Sequence, residues 1–487
     1  MSRFFDWTPD DNPAEILRPQ SADDWRGLHE RYAQAGDGAP LTRVLELAQE
    51  HGVVAIVIER RYIDADYRSE HAAFYSTTFR RYPSVCHRLH FFKSDVADDL
   101  TNLESLNDAY VGYSVMRPLR HAPVGKTMMA APPELATGTF CSTSETVHLF
   151  GASLTARGMP FISQDAQFLR CAHAAQWMVL RHSSLRYDTP KWLTADVQAA
   201  ALGGVVVGRQ VPSEGLSFHQ MLVSLDRLGL SPGRLPLPRS RADSRAAGHL
   251  SLPGVLCRHV NSQFPVIVVS DSHAWVVVGY TVSGTGPMHD RITFYRHDDA
   301  AGPYIKVPDP WNEPNAAHTP WALALTPLQR KCYVTAERAE LLGSLWLQAS
   351  ADQMKTRVPE SAALHGADVT FRTYAVPSWE FKRSLARIPV GEVAEMYRLA
   401  HLPRFIWVVE ALDRDALESG KPDVVLGEVL VDATANHVGT HDDLTSMIAL
   451  HVAGFAVSQS ADHERVQTLT SPPPEGLYPS GCPAATA

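Results

Sequence analysis

Cysteine is scarce in this chain: six among 487 residues, at positions 86, 141, 171, 257, 332 and 482. That scatter excludes a small disulfide-stapled fold and a paired Cys-x-x-Cys zinc site. Long apolar runs are missing too, since no stretch approaches the ~20 residues that a bilayer-spanning helix needs. The opening MSRFFDWTPDDNPAEILRPQ has no basic segment followed by an apolar one, so no secretory signal is read there and a cytoplasmic location is expected. Positive charge is not in excess: 44 Lys and Arg face 53 Asp and Glu, a net charge of -9. This balance argues against nucleic acid as the dominant partner. There is no internal repeat.

What is present is ordinary globular material, 45% hydrophobic and 20% charged. At roughly 150 residues per domain the length predicts two or three domains. The first, expected over 1–146, mixes α and β: Leu41, Val44, Leu45 and Leu47 space a helix, Val53–Ile58 reads as a strand, and AYVGYSVM alternates as a strand. The Arg- and Tyr-rich stretch from Glu59 to Arg88 also carries acids, and predicts a packed face with ion pairs rather than a nucleic-acid surface.

A second domain is expected over 147–350, opening with a helix after Cys171 that puts Ala172, Ala175, Met178 and Val179 on one face. Ser231–Gly248 reads as a loop, Val266–Val269 and Val276–Val278 as strands, and RITFYR as another. A C-terminal α+β domain is expected over 351–465, with a helix near Val390–Ala400 and strands at Phe405–Ala411 and Gly427–Ala433. Residues 466–487, rich in proline, read as a flexible tail. The fold class expected is α+β.

Cys171 stands at the expected start of its helix. A cysteine is nucleophilic as the thiolate, which a helix N-terminus and a neighbouring imidazole both favour. His173 points to another face of the helix, so the imidazole must come from farther away. His273, just before the apolar strand AWVVVGY, would be held rigidly. The acid that orients its second nitrogen is Asp298, Asp299 or Asp309, all near the end of a following strand. Gln164, or alternatively Gln167, would donate an amide to an oxyanion together with the Cys171 backbone N–H. Each residue alone reads as a packed one; their order together reads as a site.

That order, glutamine, cysteine, HAWVVVGY and then a strand ending in aspartate, resembles the papain-like cysteine peptidases. The similarity is greatest to their bacterial bacteriocin-leader-peptidase-like branch, and it spans Gly158 to Trp311. DDAAG overlays that branch's Asp-Pro-x-x-Gly turn. The resemblance implies Cys171 as nucleophile, His273 as base, Asp298 as orienting acid and Gln164 as oxyanion donor. Two departures stand out: the Gln164–Cys171 spacing is one residue longer than usual, and Ala172 replaces the customary glycine.

The implied protein is a papain-like cysteine hydrolase that cleaves a peptide or isopeptide-type amide through a thioester. It would need no cofactor and no metal, and its partner would be a protein or peptide substrate, with no membrane involved. A catalytically silent papain-like scaffold, and a transferase or deamidase on the same residues, are the alternatives. His437, His441 and Asp442 form a weaker, metal-like group.

Overall fold

The computed structural model describes the chain apart from residues 1–11, 34–37, 120, 166, 203–214, 271–272, 285–287, 313–320, 355–363, 365–368, 390, 415–423, 436–445, 460–465, 470–477 and 484–487. Helices and antiparallel sheets make an α+β protein, and no helix among the described residues is long and apolar enough to cross a membrane. The chain divides into two compact units. One holds residues 1–235, 265–281 and 293–327; the other holds 236–264, 282–292 and 328–487.

The first unit begins with a five-stranded sheet in the order β1 (Ala14–Leu17), β2 (Ala55–Tyr62), β3 (Cys86–Phe92), β4 (Tyr110–Met116) and β5 (Val124–Met129). β4, expected as a strand from its alternation, is one, and every residue in it is buried. The cover comes from later in the chain. Past the short β6 (Thr139–Phe140), the hairpin of β7 (Thr143–Leu149) and β8 (Ala152–Gly158) supplies Val147, Leu149, Leu154 and Ala156 to the core that holds Val57, Tyr113 and Val115. Residues just past 146, read from sequence as entering a second domain, thus complete the first sheet's core. The expected ion pairs of the Arg-rich stretch are present: Arg60–Glu15 at 2.6 Å and Arg88–Glu59 at 2.7 Å.

The second sheet comprises β9 (Leu230–Pro236), β10 (Val266–Val269), β11 (Ala274–Val282), β12 (Ile292–Asp298), β13 (Gly302–Val307) and β14 (Leu323–Gln329). They lie in the order β13-β12-β11-β10-β14-β9, with β6 paired to β11. Its central Val266–Val268 and Val276–Val278 are buried, which is why these strands read as continuous apolar runs. The expected loop at 231–248 contains β9 and a helix, Arg241–Ala246. β9 lies at the sheet edge, where the missing N–H of a proline is tolerated.

The second unit is built on β15 (Val369–Pro377), β16 (Phe405–Asp413), β17 (Val424–Asp432), β18 (Met447–Val452), β19 (Phe455–Gln459) and β20 (Val466–Leu469), with β21 (Tyr478–Pro479) paired to β17. One face takes the helix Ala336–Met354, whose Gly343 sits so close that a Cβ there would lie 2.8 Å from the Val409 side chain. The other face packs Val408 and Leu430 against Val393 and Tyr397 of the helix Gly391–Leu399. The described part of the expected tail is not loose: β20 and β21 join the sheet and Cys482 is buried. Ser480 Oγ and Gly481 N–H hold it down, donating to the buried Glu410 carboxylate at 2.6 and 2.9 Å. Proline content predicted mobility; specific hydrogen bonds oppose it.

Candidate active site

Cys171 is the first residue of a 17-residue helix, Cys171–Tyr187. Its N-cap, Arg170, is extended and supplies no side-chain acceptor, and the first turn contains no acid. The positive end of the helix dipole therefore lies beside the sulfur. Residues Ala172 to Ser183 are all buried, so the helix is enclosed rather than one-faced as its spacing suggested. Its polar members explain how. Trp177 Nε1 donates to Asp66 at 2.7 Å, Gln176 accepts from Ser224 Oγ, and Arg181 pairs with Glu145. His173 is also buried, which pushes its pKa down to about 4 and keeps it neutral. The other five cysteines are buried, whereas Cys171 is partly exposed.

His273 precedes β11. Its carbonyl accepts from Ser270 N–H at 2.9 Å, and its own N–H donates to Ser270 Oγ at 3.2 Å, fixing the ring's origin. The imidazole joins two of the expected residues: Nε2 lies 3.0 Å from Asp298 Oδ1, and the Cys171 side chain stands close enough to the ring to help raise its pKa. With Nε2 committed to Asp298, Nδ1 is the nitrogen left for sulfur. β11 and β12 are neighbours in the sheet, so residues 25 apart in sequence meet at one end of it. Trp275, two residues on and on the same strand face, packs against the ring with centroids 5.6 Å apart.

The electrostatics follow from this arrangement. Burial opposes charge on His273, but the hydrogen bond to Asp298, the neighbouring Cys171 side chain and the charges of Asp298 and Asp299 outweigh it, raising its pKa to about 10. Burial would likewise raise Asp298; its hydrogen bond to His273 and the charges of His273 and Arg296 overcome that and hold it below the usual carboxylate value. Asp298 is further fixed by N–H donors from Ala300 at 3.1 Å and Ala301 at 3.3 Å, and by Arg296 Nη2 at 3.2 Å. The turn closes at Gly302, whose φ of +127° suits glycine and whose Cα abuts Arg43. An imidazolium so maintained, with an anchored carboxylate behind it, is the partner a nucleophilic sulfur requires.

Gln164 lies in the loop leading to Cys171 and is half-buried; its amide makes no hydrogen bond to a described residue. Its neighbours are pinned. Arg117 Nη2 donates to the Ser163 carbonyl at 2.9 Å, and Asp165 Oδ1 accepts from the N–H groups of Gln167, Phe168 and Leu169 at 3.0, 2.9 and 2.7 Å. Gln167, the alternative donor, is exposed and borders a cavity of about 120 Å³ lined also by Tyr75, Tyr82, Leu119 and His121. Asp309, the alternative acid, serves a turn, its Oδ1 accepting from Trp311 N–H at 3.1 Å.

Several residues escaped the sequence reading. Arg296 grips Asp298 and lies over the Trp275 ring at 4.7 Å. Its signal was available: positions 296 and 298 share a face of one strand. The buried pair Arg117–Glu70, 3.3 Å apart, had no local signal, because its members are 47 residues apart. His437, His441 and Asp442 fall outside the described residues. Asp299, named only as an alternative acid, lies 3.7 Å from His273 Nε2 and completes a compact group with His273 and Asp298. No family model matches the chain, and no curated protein matches it either.

Proposed function

We propose that this protein is a papain-like cysteine hydrolase that cleaves a peptide or isopeptide-type amide through a thioester. The observation that carries the reading is one imidazole held 3.0 Å from Asp298, with the partly exposed Cys171 near enough to help raise its pKa. In this scheme the Cys171 sulfur attacks the substrate carbonyl carbon. The oxyanion that forms is met by the Cys171 backbone N–H and the Gln164 amide, which the pinned loop would present. His273 gives its proton to the nitrogen of the leaving amine, the C–N bond breaks, and a thioester remains. Water then attacks the thioester carbon while His273 takes its proton, and the acid product leaves with the thiolate restored. Asp298 keeps the ring oriented throughout.

Exposure alone predicts that Cys171 reacts first with a thiol reagent, because the other thiols are buried. The informative measurement is therefore the rate's dependence on pH and on His273. Native protein should alkylate at Cys171 at pH 6 at least ~100-fold faster than His273→Ala, in line with the usual size of acid–base assistance. Equal rates in the two proteins, both rising about a free-thiol pKa near ~8.5, would leave a binding scaffold as the reading.

A further inference from the structure

Asp299 has no task in the scheme above. Its side chain is 1% exposed, neither carboxylate oxygen accepts a hydrogen bond from another described residue, and Oδ1 points to His273 Nε2 at 3.7 Å. Burial, with the Asp298 charge beside it, raises its pKa to about 7, against the opposing pull of His273. A buried carboxylate to which no neighbouring residue donates a hydrogen bond is costly, and such a group calls for an explanation. We propose that His273 Nε2, Asp298 and Asp299 form a binding site for a zinc-like divalent cation, and that its occupation switches the cysteine off.

The geometry supports this in three ways. One ligand atom from each residue lies within 4.8 Å of the others, and two of the separations are 3.0 and 3.7 Å. Bonds of about 2.0–2.2 Å in a tetrahedron place ligand atoms ~3.4 Å apart, so those two separations straddle the requirement. One imidazole and two carboxylates in a small buried space suit zinc better than magnesium, which keeps several waters and demands an octahedron. The outer shell is also present: the N–H groups of Ala300 and Ala301 and the Arg296 guanidinium already fix Asp298. His273 remains 27% exposed on its side chain and offers a route in.

Cation binding would displace the Nε2 proton and occupy the gap that the His273–Asp298 hydrogen bond now spans. The ring would then keep its remaining proton on Nδ1, facing Cys171, and could accept none. Binding depends only on the three side chains; its effect on the cysteine rests on the hydrolase reading.

The test uses the full chain with cobalt(II) as a spectroscopic substitute and zinc chloride by calorimetry. Expected are one high-affinity cation per chain, a tetrahedral-type cobalt spectrum with no sulfur-to-cobalt charge-transfer band, at least tenfold weaker zinc binding in Asp299→Asn, and no loss of affinity in Cys171→Ala. A charge-transfer band, or affinity lost with Cys171→Ala, would assign the cation to the cysteine and overturn the site. Absence of binding at millimolar zinc would overturn it as well. The wild-type cobalt spectrum decides the matter should Asp299→Asn not fold. Cation binding in a protein whose Cys171 alkylation ignores His273 would keep the site and remove the hydrolase.

Discussion

Two pairs of buried carboxylates, one in each unit, differ in how they are satisfied. Glu410 and Glu428 face each other across β16 and β17, both fully buried. Glu410 accepts from Tyr374 OH at 3.0 Å, Gly481 N–H at 2.9 Å and Ser480 Oγ at 2.6 Å, while Glu428 holds Arg387 at 2.6 Å. Asp298 and Asp299, adjacent in sequence, share one histidine, and Asp299 receives no hydrogen bond from another described residue. The first pair is fully engaged in holding a sheet and a chain terminus together. The second leaves ligand capacity unspent beside a partly exposed imidazole. Burial alone does not separate structural from chemical carboxylates; the accounting of their lone pairs does.

The sharpest way to break this contrast is Arg387→Ala. It removes the ion partner that Glu428, a side chain with no exposure, holds at 2.6 Å, and loss of one partner from a buried pair costs ~3–5 kcal/mol. Chemical denaturation of the variant should show a loss of that size; a loss below ~1 kcal/mol would mean that the second unit's pair is no more structural than the first.

Ser480→Ala comes next. It removes the donor to Glu410 and the acceptor that Cys482 N–H uses at 3.1 Å, so about 1–2 kcal/mol should be lost, with earlier proteolytic trimming at the C-terminus. Unchanged stability and trimming would return residues 466–487 to the mobile tail that their composition predicts.

These contrasts mark what the sequence could reveal. Helix and strand positions with strong periodicity were legible: the Leu41–Leu47 spacing lies in the helix Ala39–Glu50, and Phe405–Ala411 lies within β16. The three residues around the imidazole were legible because each has a local signature: a cysteine at a helix start, a histidine before an apolar strand, an acid at a strand's end. Gln164 had such a signature too, yet the structure shows only where its backbone is held. Long-range events had no local signal. The β7–β8 hairpin completes the core of an earlier sheet, and Ser480 reaches a glutamate 70 residues away. The interleaving of 236–264 and 282–292 with the C-terminal unit is equally silent in composition. Local cues report an element's own physics; they carry no record of which distant surface will cover it.

The effect opposite in sign, and the smallest at low pH, belongs to Asp299→Asn. Asp299 titrates near 7 in the folded protein but near ~3.9 in an unfolded chain, so between those values the unfolded state has lost a proton that the folded state keeps. Its contribution to stability is therefore fully present below about 4, falls as pH rises towards 7, and is flat above that. The amide has no proton to lose, so the variant should lack this decline. Unfolding free energies measured across the range should match the wild type to within ~1 kcal/mol at pH 4 and exceed it at pH 8, once the remaining groups common to both proteins are cancelled by difference. A carboxylate that already had its hydrogen bonds, as Glu410 does, would instead leave the variant weaker at every pH, because its replacement would break those contacts. Parallel curves, or a variant weaker than the wild type at pH 8 alone, would place Asp299 with the structural pair and take away the unspent ligand on which the cation site depends.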